Sequence, residues 1–104
     1  MLERMRREDF EPHLNTTFRL LRGQEEPLEL ELIEITGGEG TFENSYSFSL
    51  IFRGGPHFVL QQHTFTLDHP ALGTLDIFLV PIARDADGYR YEAVFNYPEK
   101  PQAR

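Results

Sequence analysis

The chain has no cysteine among its 104 residues, which excludes disulfides, cysteine nucleophiles and thiolate metal sites. That absence fits a reducing compartment, and a cytoplasmic location is expected. It has no tryptophan and no long apolar run. The longest mainly apolar stretch, Ile77 to Ala83, is seven residues, too short to span a bilayer, so no membrane partner is expected. The start, Met1-Leu2-Glu3-Arg4-Met5-Arg6-Arg7, lacks the apolar stretch of a secretory leader. No internal repeat is evident. Basic residues are missing altogether between 24 and 50, where seven Glu stand, so this quarter carries a charge equal to the net −7 of the chain. Such an acidic surface repels phosphate, and nucleic acid is not expected as a partner. The Glu-rich quarter reads either as a solvated face or as an electrostatic docking face for a basic partner.

What is present is mostly period-two alternation. Residues 6–14 form the exception: one or two helical turns, kept short by Pro12, with Phe10 and Leu14 four apart and laid together over an open end of the core. Thr17 to Arg22 then alternates. Leu28-Glu29-Leu30-Glu31-Leu32 is a clear half-buried strand, with Leu on one side and Glu on the other. Ile33 and Ile35 fall on the wrong parity. A bulge between Leu32 and Ile33, or a strong bend, would return both to the core. Residues 37–44 read as a polar loop. Tyr46 to Arg53 and His63 to His69 alternate again. Thr74 to Ile82 is apolar on both parities, with Leu75, Ile77 and Leu79 on one face and Phe78 and Val80 on the other, and so requires cover on both faces. Asp85-Ala86-Asp87-Gly88 is a hairpin turn, type I or I′, and Tyr89 to Asn96 completes the series.

The expected fold is therefore mainly β: about six antiparallel strands as a small barrel or sandwich, with one short N-terminal helix. Residues 1–96 are expected to form a single domain and 97–104 a flexible tail.

Few constellations carry chemistry. His57, His63 and His69 with Asp68 resemble a ligand set, but the ends of an extended 63–69 strand lie roughly 20 Å apart at about 3.3 Å per residue. No metal site and no cofactor is expected. Asp85-Ala86-Asp87-Gly88 lacks the flanking acids of a calcium loop, since Ala83 and Val94 occupy their places. No Gly-x-Ser-x-Gly elbow occurs. Glu29 and Glu31 share one strand face about 7 Å apart, on the outer side of a Leu-lined strand rather than in a cleft. No catalytic residue is assigned, and the protein is not expected to be an enzyme.

Two stretches carry a resemblance. Leu67-Asp68-His69-Pro70-Ala71-Leu72-Gly73-Thr74-Leu75-Asp76-Ile77-Phe78-Leu79-Val80-Pro81 and Tyr91-Glu92-Ala93-Val94-Phe95-Asn96 resemble the signatures of a family of small bacterial proteins of unknown function. Asp9-Phe10, Phe18-Arg19-Leu20 and Phe48 to Gly54 extend the likeness over 8–96. The resemblance implies a compact bacterial β domain with no assigned activity, associated with genes for phage-tail-like fibre proteins. Physics accounts for the signature without chemistry. Pro70 and Gly73 bracket a turn, and Pro81 ends a ladder or marks an edge.

The expected function is a non-enzymatic interaction or assembly module. Its partner is another protein or a second copy in a homodimer. The candidate partner residues are Glu29 and Glu31, on the acidic strand, and Phe78 and Val80, on the two-sided apolar strand. The alternative is a small-molecule carrier with its ligand inside a barrel.

Overall fold

A computed structural model describes residues 5–42 and 45–98. A short helix α1 (Arg7–Phe10) runs into a 3-10 turn (Glu11–His13). Six strands follow: β1 (Thr17–Arg22), β2 (Glu25–Phe42), β3 (Ser45–Gly54), β4 (His63–His69), β5 (Gly73–Asp85) and β6 (Gly88–Pro98). All pairings are antiparallel, and the order β1-β2-β3-β6-β5-β4 closes on itself. The choice between barrel and sandwich thus falls to the barrel. Four connections are hairpins. The fifth, residues 55–62, must cross from β3 to β4, which are not neighbours in the ring.

The expected inward parities of β1 to β5 fill the lumen: Phe18, Leu30, Leu32, Phe48, Leu50, Phe52, Leu67, Ile77 and Leu79 are each at most 2% exposed, and Tyr91 of β6 joins them. Between Leu32 and Glu34 the β2–β3 register shifts by one residue, so Ile33 is the extra residue of a bulge. Ile35 returns to the core as expected, whereas Ile33 is half-buried outside it.

The loop expected at 37–44 is replaced, over its described residues, by a continuation of β2 to Phe42. Gly37 pairs with Phe48 and Thr41 with Tyr46, so Gly38, Glu39 and Gly40 bulge out of the ladder. Gly37 is at φ 80°. A Cβ there would stand 2.9 Å from the Ser47 carbonyl oxygen, so only glycine lets β2 follow β3 this closely. β6 runs two residues past its expected end, to Pro98, and the remaining tail residues 99–104 lie outside the described residues.

Each end of the barrel is plugged by an aromatic ring from outside the strands, one in the N-terminal segment and one in the β3–β4 crossing. At the end where β1 begins, Phe10 is fully buried, 6.0 Å from the Phe48 ring and 5.6 Å from the Phe95 ring. The Asp9 carboxylate accepts the Arg6 N–H at 2.8 Å and closes the first turn. Leu14, expected beside Phe10, is instead 39% exposed. The 3-10 turn that contains Pro12 ends with Leu14 extended, and Asn15 reverses the chain at φ 69°. The helical spacing that would align Leu14 with Phe10 is therefore lost.

At the other end, the 55–62 crossing lays Phe58 into the space left by the missing side chain of Gly54. It also buries Leu60, whose N–H donates to the Tyr91 hydroxyl at 3.0 Å. Burial pushes the Tyr91 phenol pKa up, against the opposing effect of that hydrogen bond. The Asp85–Gly88 hairpin closes over Gly54. A positive φ occurs at Gly88 but at neither Ala86 nor Asp87, which excludes type I′.

Phe10→Ala should cost about 3–4 kcal/mol, because it removes an aromatic plug from a packed lumen. Gly88→Ala should cost about 3 kcal/mol, because its Cβ would fall 1.9 Å from the Gly54 carbonyl oxygen. Urea unfolding measures both. A loss below about 1 kcal/mol for Phe10→Ala would show that the N-terminal segment does not seal the barrel.

Candidate functional site

Three places on the barrel concentrate polar or apolar groups. The first is the outer face of β2. Glu31 sits opposite Arg53 of β3, and their side chains meet at 3.2 Å. Arg53 also lies 3.7 Å from Asp87. Glu29 is exposed and stands opposite Arg19 of β1. Glu29, Glu31, Arg53 and Asp87 line a shallow polar recess of about 230 Å³. The pair expected from alternation is therefore present, but Glu31 is already matched by Arg53. As an acidic docking face it is weaker than its composition suggests.

The second place is His69. The three histidines singled out by spacing do not converge: His57 is exposed on the crossing segment, His63 is exposed at the start of β4, and His69 is buried at its end. The structure instead brings up His13, which spacing did not flag, with its ring 4.7 Å from that of His69. The Ala71 N–H donates to His69 Nδ1 at 3.0 Å. That nitrogen must be unprotonated, so the proton of the neutral ring lies on Nε2. Nε2 faces Thr16 Oγ1 at 3.0 Å, and the Thr16 hydroxyl in turn donates to the His13 carbonyl at 2.6 Å. Both ring nitrogens are thus consumed in tying the β4–β5 turn to the segment that follows α1. Among the described residues, no group of three or more His, Asp or Glu is arranged to hold a metal ion.

The third place is the outer wall of β5 and β6. The β5–β6 ladder runs only from Val80 to Asp85 against Gly88 to Glu92. Residues 73–79 of β5 pair with β4 instead, and residues 93–98 of β6 pair with β3. Below Val80 the two strands therefore part. The seam between them is a depression of about 410 Å³, with Ile77, Ala93 and Phe95 at its base and Asp76, Phe78 and Val94 along its sides. Phe78 is 49% exposed and Val94 62%. Pro81, which has no N–H, sits where the β5–β6 register slips, as proline at a bulge should.

The second face of β5 therefore lacks the cover its pattern called for, because α1 plugs the end of the barrel rather than its wall. Val80 is half-buried opposite Glu92, in the paired half of the strand. The four expected partner residues do not form one face. β2, which carries Glu29 and Glu31, and β5, which carries Phe78 and Val80, are three places apart in a ring of six. Sequence reasoning found Phe78 but missed Val94, which read only as one more strand residue.

The architecture defines a small mainly-β barrel, closed by its own aromatic side chains and parted along one seam. Within that class, the family described as a domain of unknown function, DUF6916, matches residues 5–95, and the chain belongs to it. No curated protein and no solved structure matches the chain. Among the described residues, no helix is long and apolar enough to cross a membrane.

Burial, and secondarily the neighbouring His13, hold the His69 pKa below the usual histidine value, against the opposing charge of Asp68. In the unfolded chain the imidazole titrates near its ordinary value, about 6.5. Below that pH the unfolded state binds the extra proton first, so the contribution of His69 to stability falls as pH drops from about 6.5 towards the lowered folded value. Above about 6.5 this group adds no pH dependence. Comparing urea midpoints of the wild type and His69→Asn from pH 7.5 to 5 isolates the effect, because Asn keeps an acceptor for the Ala71 N–H and cannot titrate. The wild type should lose stability relative to the variant as pH falls. Parallel curves would show that His69 is not held neutral.

Proposed function

We propose that this domain is a non-enzymatic interaction or assembly module that docks another protein on the outer wall of β5 and β6. The observation that supports this reading is the exposed apolar surface there: Phe78 and Ile82 on β5 and Val94 on β6 are each close to half exposed or more. Large apolar side chains grouped on one wall mark contact surfaces more often than solvent-facing ones. The carrier reading has less support. A carrier needs an interior apolar cavity of at least about 300 Å³, whereas the lumen here is occupied by Phe10, Phe18, Phe48, Phe52 and Tyr91. The charge of −7 favours a basic partner and faster encounter at low salt. The bacterial fibre-assembly setting implied by the sequence resemblance belongs to the same reading.

Photo-crosslinking tests it. Benzoylphenylalanine in place of Phe78, illuminated in extract of the native cell, should give one discrete adduct. Val94→Asp should abolish that adduct while leaving the urea midpoint nearly unchanged. The same probe at Glu29, on the opposite wall, should not give it. No adduct above background at Phe78 would overturn the reading. Reversing Glu29 and Glu31 to Lys should slow association without changing which adduct forms.

A further inference from the structure

The seam has a second property besides its apolar sides. Among the described residues, 74–79 of β5 and 93–96 of β6 each have a ladder partner on one side only. In an antiparallel ladder alternate residues turn their N–H and C=O to opposite sides, so both strands direct part of their backbone into the seam. Among the described residues, the depression takes its walls from β4, β5 and β6, and neither α1 nor the crossing segment lines it. A parted pair of strand edges is a template for one more strand.

Resting on the interaction reading above, we infer that this seam takes an extended, Lys- or Arg-bearing segment of a partner protein as an added strand between β5 and β6. The six residues 74–79 span roughly 20 Å at about 3.3 Å per residue, which sets the inserted length at about six residues. Because β5 and β6 run in opposite directions, the segment is antiparallel to one edge and parallel to the other. Its inward side chains are small and apolar, since Ile77, Ala93 and Phe95 already fill the base and are at most 8% exposed. Its outward side chains pack between Phe78 and Val94. The charge preference follows from Asp76, the one charged side chain among the described residues lining the depression, and at longer range from the net −7 of the chain. Asp76 Oδ1 accepts the Thr66 hydroxyl at 2.7 Å, which holds the carboxylate on the outer wall. A second copy of the chain is a poorer occupant. Among the described residues it offers no single free strand, because all six are held in the ring.

The probe is a fluorescein-labelled, end-capped hexapeptide of alternating Lys and Val. It should bind saturably, and N-methylation of its alternate amides, which keeps the side chains but removes donors, should weaken it about tenfold, as expected for one or two lost backbone hydrogen bonds. Replacing its Lys with Glu should weaken it further. In the protein without peptide, amide exchange along 74–79 and 93–96 should be fast on the seam side and should slow when the peptide is added. No saturable binding, equal binding of the N-methylated peptide, or seam amides already protected in the free monomer overturns the inference. Protection that appears only with dimerisation also overturns it, by making a second copy the occupant. If the inference fails while the Phe78 adduct persists and remains sensitive to Val94→Asp, docking on the apolar wall stands without strand addition. If the adduct is absent too, both fall.

Discussion

β5 has only one ladder partner at a time, and the shape of the barrel follows from this. Its first half pairs with β4 through Leu79, and its second half pairs with β6 from Val80 onward. β4 is only seven residues long, so it supplies no partner beyond Leu79. β6 is meanwhile bound along its length to β3, from Tyr89 opposite Gly54 to Pro98 opposite Ser45. Twist rotates neighbouring strands by about 20–25°, and two strands committed to different ladders diverge. The ring closes because β5 passes from one neighbour to the other, and the seam is the geometric remainder of that exchange.

A ring closed this way still has a lumen to fill, and the fill is aromatic. Phe48 and Phe95 stack at 4.8 Å, and Phe18 meets Phe52 edge-on at 5.2 Å. Phe10 lies against the first pair, which stands directly behind the parted strands. The apolar surface that a complete β5–β6 ladder would have screened is instead packed from the inside by the N-terminal segment. The same plug that stabilises the barrel thus lies behind the open part of its wall, through Phe95.

The polar network at His69 belongs to the same end of the molecule. The imidazole reaches the turn that starts β5 through Ala71 and the exit from α1 through Thr16, so it ties the plug to the strand beside the seam. A group bonded on both nitrogens and screened from water serves as a fastener better than as a proton carrier. Coulombic repulsion from His13, on the plug itself, adds to burial in lowering the His69 pKa, and the charge of Asp68, on the opposite face of β4, offsets part of it.

Much of this was legible from period-two alternation. The lumen residues of β1 to β5, the bulge at Ile33, the short helix ending in Phe10 and the hairpin at Asp85–Gly88 are local consequences of parity, proline and glycine. Phe78 could be singled out because Thr74 to Ile82 is apolar on both parities. Other features were not legible, and they share a cause. Gly37 to Gly40 reads as loop until β3 is known to lie against it. Leu14 reads as a partner of Phe10 until the 3-10 turn breaks the spacing. Val94 and Phe78 are sixteen residues apart, and His13 and His69 fifty-six, and nothing in either segment refers to the other. Alternation determines which side of a strand faces inward, because it depends on neighbouring residues alone. Ring order, the exchange of partners along β5 and the opening of the seam depend on pairings between distant residues, and only the closed tertiary structure decides those.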